Sequence, residues 1–150
     1  MGGDQDKGLR NMTLPTQSEY EALAVFRHTL KKFMDFSTSA AQAAGLPPQQ
    51  HQALLAIKGL PAGEVMTVGL LAERLLIVPH SATELAGRLL SGGLITREPD
   101  PADRRRQTLQ LTEKAEQVMA HLSAIHLKEI RETAPQLIAI LSELGNVEKT

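Results

Sequence analysis

The sequence predicts a mainly helical α+β fold, with long helices towards both ends and one short β-hairpin between them. Three observations lead there. Apolar residues make up 42% of the 150 residues and aromatic ones only 3%, with no Trp, so the core must be built from Leu, Ile, Val and Ala. That composition suits packed helices better than a β-sandwich, which leans on aromatic and β-branched side chains. Apolar residues recur at spacings of three and four over most of the chain, the period of a helix face. Between Leu94 and Leu111 the period changes to two, the period of a strand.

The elements follow in order. From Ser18 to Ala44, Leu23, Phe26, Leu30 and Phe33 share one helical stripe, and Gly45 with Pro47-Pro48 stops the helix. The next helix carries His51, Leu54, Leu55 and Ile57 and ends before Gly59 and Pro61. Thr67 is placed to cap a short third helix containing Val68, Leu71, Ala72 and Leu75. Leu76-Ile77-Val78 leads to Pro79, which suits a helix start because its missing N–H would be unpaired there anyway. This fourth helix runs to about Leu90, and Gly92-Gly93 ends it. Leu94–Arg97 and Gln107–Leu111 read as two strands, joined through Pro99-Asp100-Pro101 and a charged tip, Asp103-Arg104-Arg105-Arg106. Thr112 then caps a long helix with Ala115, Val118, Leu122 and Ile125 on its buried stripe. A final helix is expected from near Thr133, with Pro135 in its first turn and Leu137, Ile138, Leu141 and Leu144 as its apolar face.

Helix, tight connection, helix and charged hairpin in this order form a winged helix-turn-helix. At about 100° per residue, Ala82, Leu85, Ala86 and Leu89 cluster as the core face of helix 79–90. His80, Ser81, Glu84, Gly87 and Arg88 fall opposite, a polar face of modest size, as entry into a major groove demands. Three consecutive arginines at a hairpin tip make poor folding material but good phosphate or minor-groove probes. Asp103 is placed to pair with Arg105 or a neighbour and orient the loop. Net charge is −1, so nucleic-acid affinity must be concentrated locally rather than drawn from a global basic field.

Residues 66–115 resemble the MarR family of transcription regulators. The likeness rests on Met66-Thr67-Val68-Gly69-Leu70-Leu71-Ala72-Glu73-Arg74-Leu75, Gly93-Leu94-Ile95, the Asp100-Pro101-x-Asp103-Arg104-Arg105 element, and Leu111-Thr112-Glu113-Lys114. It implies a homodimer joined through helices from both termini, with helix 79–90 in the major groove and the 99–106 wing in the minor groove. It further implies binding of a palindromic operator, usually as a repressor, and often release by a small-molecule effector. Glu84 departs from the family, which often carries a basic or polar residue there; its carboxylate could accept from cytosine or pair with Arg88. The absence of Cys removes the thiol-oxidation switch of some members.

The expectations are therefore specific. Residues 1–16 form a disordered lead-in and 17–150 a single domain, with 17–46 and 112–150 as dimerisation helices and 47–111 as the DNA-binding lobe. Thr67, Pro79, His80, Ser81, Thr83, Glu84, Arg88, Asp103, Arg104, Arg105 and Arg106 are the candidate contacts to double-stranded DNA. Phe33, His51 and Leu55 are candidate walls of an effector pocket, although the Phe26, Phe33 and Phe36 group also reads as plain helix-packing core. A winged-helix protein-interaction module without DNA specificity is the alternative. No catalytic motif, cofactor or metal site is expected: His121 and His126 stand five apart, about 140° round a helix, and His28, His51 and His80 lie in separate elements. No apolar run is long enough to span a bilayer, and the expected location is the cytoplasm.

Overall fold

The computed structural model describes residues 13–146. Of the lead-in expected at 1–16, residues 1–12 lie outside them, and Thr16 is ordered as the cap of the first helix. Among the described residues the elements are α1 (Gln17–Ala43), α2 (Pro48–Lys58), α3 (Val68–Leu75), α4 (Pro79–Ser91), β1 (Ile95–Pro99), β2 (Gln107–Leu111) and α5 (Glu113–Leu144). The mainly helical fold with a hairpin wing is thus observed. By internal contact the chain divides into two units, Met34–Ile130 and the residues up to Phe33 with those from Arg131 onward.

Unit 34–130 holds the larger core. Leu46, Leu54, Leu71, Leu85, Leu89, Leu94, Met119 and Leu122 are buried in one cluster drawn from α2, α3, α4, α5 and the connections beside them. Each such side chain withdrawn from water contributes about 1.5–3 kcal/mol before conformational entropy is charged against it. α4 buries the face its sequence predicts: Ala82, Leu85, Ala86 and Leu89 are all 1% exposed or less. The two strands pair antiparallel with Ile95 opposite Leu111 and Pro99 opposite Gln107. Met66 adds an isolated bridge to Leu109, the Leu109 N–H donating to the Met66 carbonyl at 2.8 Å. No period-two run announces this second pairing, because a single bridge leaves no alternation to read.

Local stops and starts explain the boundaries. Thr16 opens α1 with a capping box: its hydroxyl accepts from the Glu19 N–H at 3.1 Å, and Glu19 accepts from the Thr16 N–H at 2.9 Å. Thr67 caps α3 by accepting from Leu70 at 3.2 Å. Gly93 takes a left-handed φ of 69° beyond the end of α4, and its carbonyl and that of Gly92 tie the wing to α5. The Thr112 hydroxyl donates to the Gly93 carbonyl at 2.7 Å and Lys114 Nζ to the Gly92 carbonyl at 3.0 Å.

One expectation is corrected. The separate last helix from Thr133 does not exist; α5 runs unbroken from Glu113 to Leu144 with Pro135 inside it. Proline removes one N–H, but ending a helix also needs a stop, and no Gly or Asn stands between Ala115 and Pro135. The terminal apolar faces are only partly covered within this chain. In the unit containing both chain ends, Ala22, Thr29 and Ile140 are buried, whereas Leu23, Leu30, Ile138 and Leu141 are 41–60% exposed. Spacing identifies an apolar stripe correctly but cannot say that this chain leaves much of it uncovered.

Candidate nucleic-acid interface

The wing is built on a carboxylate that the sequence marks only as part of a turn. Asp100 follows β1 and is 5% exposed. Its Oδ1 accepts the Ala102 N–H at 2.9 Å, and its Oδ2 lies 3.7 Å from Arg106 Nε. Its backbone N–H donates to the Arg106 carbonyl at 2.8 Å, closing the base of the tip. Asp103, expected to pair with Arg105 or a neighbour and orient the loop, meets Arg105 through the backbone and not the guanidinium: its Oδ1 accepts the Arg105 N–H at 3.0 Å. A short acidic side chain that bonds the backbone two residues on makes a compact turn. Two aspartates therefore hold the loop, one arginine is engaged at its base, and Arg104 and Arg105 stand exposed at the tip.

The outer face of α4 is polar and open. His80, Thr83, Glu84 and Arg88 are exposed, while Ser81 and Gly87 are half-buried. Glu84 pairs with His80, not with Arg88, at 3.3 Å between Oε1 and Nε2 one helical turn apart. Thr83 is partly occupied by its own helix, its hydroxyl donating to the Pro79 carbonyl at 3.1 Å. Pro79 sits in the first turn as expected, and Thr67 is half-buried with its oxygen engaged in the cap. A helix with a buried apolar face, an open polar face and a basic hairpin following it defines a winged helix-turn-helix protein.

The comparisons agree. Residues 44–106 match the MarR family model. The chain is 38% identical over 96 residues to the uncharacterized HTH-type transcriptional regulator YcgE of Bacillus subtilis (strain 168); the match covers 63% of this chain and spans about 60% of that relative's length. A MarR family protein from Bacillus stearothermophilus superposes with a TM-score of 0.69 at 17% identity, over 81% of this chain and 82% of its own. CouR bound to a 23-mer DNA duplex superposes with a TM-score of 0.65 at 22% identity, over 92% of this chain and all of its own. CouR from Rhodococcus jostii RHA1 bound to p-coumaroyl-CoA gives 0.65 at 16%, over 90% and 99%. Over residues 44–106 the chain is similar to the MarR family, and its fold is that of MarR family structures.

A second cluster lies within unit 34–130, and no spacing in the sequence announces it. His51 of α2 and His126 of α5 stack with ring centroids 4.9 Å apart, and Phe36 of α1 meets His126 edge-on at 5.6 Å. His126 Nδ1 is 2.7 Å from the Leu122 carbonyl and Nε2 is 2.7 Å from Ser37 Oγ. A carbonyl only accepts, so Nδ1 donates, and in the neutral ring Nε2 accepts from the Ser37 hydroxyl. Helix spacing within one element cannot reveal a pair formed between two. His51 is 4% exposed, and burial, with the neighbouring His126, lowers its pKa from the ordinary 6.5. Below pH 6.5 the unfolded chain therefore binds more protons than the folded one, and stability is lost as pH falls from there through the depressed folded value. Urea titrations should show wild type losing more stability between about pH 8 and pH 5 than His51→Gln; equal losses would remove His51 from this role.

Of the three residues expected to line an effector pocket, His51 is buried in this cluster, Leu55 is 50% exposed, and Phe33 belongs to the other unit. A cleft of about 360 Å³ beside Phe36 is lined by Ser39, Ala40, Ala43, Ala44, His121 and Ile125. Among the described residues no group of three or more His, Cys, Asp or Glu could hold a metal, and no helix is long and apolar enough to cross a membrane.

Proposed function

We propose that the chain is a sequence-specific, double-stranded-DNA-binding transcription regulator that acts as a homodimer on a palindromic operator, as an effector-responsive repressor in the cytoplasm. The observation that carries this reading is the wing: two aspartates constrain a hairpin whose tip exposes Arg104 and Arg105. A buried carboxylate under an arginine tip makes sense where that tip must meet a polyanion. α4 then supplies sequence preference through His80, Ser81, Thr83, Glu84 and Arg88, while the arginines supply mostly electrostatic affinity. The DNA-bound and p-coumaroyl-CoA-bound states of CouR, a protein of the same fold, support DNA and small-molecule partners. The exposed apolar residues of the terminal helices, among them Tyr20, Leu23, Leu30, Ile138 and Leu141, support self-association. The effector site is assigned to the surroundings of His51 and Phe36 within unit 34–130.

The test is binding to a duplex that the full chain enriches from a randomised library, measured against a random duplex across a salt series. Arg105→Ala is expected to weaken binding to both duplexes and reduce the salt slope by about 2, one phosphate contact being lost from each protomer of the dimer. Unchanged affinity and slope would end the assignment of the wing. Failure to enrich any duplex would favour a protein-interaction module instead.

A further inference from the structure

The junction between α3 and α4 breaks two local folding rules at one exposed spot. Leu76 ends α3 with φ 56° and ψ 42°, the left-handed conformation that Gly or Asn ordinarily supplies at this position. The motif around it is complete: the Leu76 N–H bonds the Glu73 carbonyl at 3.3 Å and the Ile77 N–H bonds the Ala72 carbonyl at 3.0 Å. Two residues on, Val78 occupies the N-cap of α4, where Ser, Thr, Asp or Asn would accept a hydrogen bond and Val makes none. Neither side chain is compensated by burial. Leu76 is 92% exposed and Val78 63%, while Ile77 between them packs against the core. Folding alone would choose a small or polar residue at both positions. Where a sequence departs from local preference without a packing gain, a functional reason is the expected cause.

We infer that Leu76 and Val78 read thymine methyl groups in the major groove, a reading that rests on the DNA-binding function proposed above. In a helix-turn-helix the residues at the start of the second helix meet the base edges. The only apolar feature a base pair presents in the major groove is the C5-methyl of thymine, and its complement is an aliphatic side chain. The neighbouring charges fit this division of labour. The leading edge at Leu76 and Val78 is apolar, Glu84 is turned to His80 on the same helix, and Arg104 and Arg105 stand exposed on the wing. An A·T-bearing operator half-site with a thymine under this edge is the partner so defined.

The experiment compares two probes with the full chain. One is a duplex enriched from a randomised library; the other is the same duplex with deoxyuridine in place of every thymine, which removes the methyl groups and leaves the base-pairing pattern intact. Wild type should bind the deoxyuridine duplex about fourfold more weakly for each methyl group that Leu76 or Val78 would otherwise cover. The double variant Leu76→Asn with Val78→Ser should bind both duplexes equally. Asn tolerates the left-handed conformation and Ser caps the helix, so this variant should also melt at the same temperature as wild type or higher. Equal binding of both duplexes by wild type, or a methyl preference that survives in the variant, overturns the inference while leaving the DNA-binding function standing. A library that enriches no duplex overturns both.

Discussion

Leu89→Ala should destabilise the fold by about 2–5 kcal/mol, the range for deleting most of a buried leucine. Leu89 is 0% exposed and lies on the inner face of α4, in the cluster with Leu54, Leu71, Leu85 and Leu94. Truncation removes the transfer free energy of the missing methyl and methylene groups and leaves a cavity that neighbouring helices fill only in part. For a chain of this size the loss corresponds to a fall in Tm of about 5–15 °C. A urea titration should show the midpoint falling with little change in slope. A loss below about 1 kcal/mol would contradict the burial of this face, and with it the orientation of the polar face.

Asp100→Ala should loosen the wing more than any substitution at its tip. The carboxylate is nearly buried, so its removal leaves the Ala102 N–H without its acceptor and Arg106 without its pairing oxygen. The hydrogen bond is worth about 1–2 kcal/mol when a partner is stranded. The ion pair adds less, because the Arg106 side chain is 57% exposed and solvent screens it. Two measurements separate this from general unfolding. Amide exchange at 102–106 should accelerate while the Leu89 amide stays protected, and DNA affinity should fall although every arginine is retained. Asp100→Asn keeps an oxygen for Ala102 and should recover part of both. An Asp100→Ala wing that exchanges like wild type would mean the loop is held by its backbone bonds alone.

How much of the fold and site is legible in the sequence differs by element. α4 is legible down to its inner face, because an amphipathic helix writes its orientation in a period that needs no partner. The caps at Thr67 and Thr112 are legible for the same reason: a cap involves residues three apart. The hairpin is legible from alternation, although β1 begins at Ile95 and reaches Pro99 rather than running from Leu94 to Arg97. The roles of the acidic residues in the wing are not. Spacing suggests a side-chain pair between Asp103 and Arg105 and leaves Asp100, which holds Arg106, as plain turn, because the two aspartates differ only in burial. Pro135 misleads because its preference for a helix start says nothing of whether the preceding helix has a reason to stop.

By itself the sequence determined the order of elements, the core face of the recognition-type helix, and the place where positive charge accumulates. Each depends on residues within one or two turns of one another. Only the tertiary structure decided which aspartate supports the wing, that Glu84 turns to His80, and that His51 and His126 stack across two helices. It also decided which apolar stripes this chain covers and which, as on the terminal helices, it leaves open. These depend on distances between residues remote in the chain, and such distances are set by how whole faces pack, which no local period encodes.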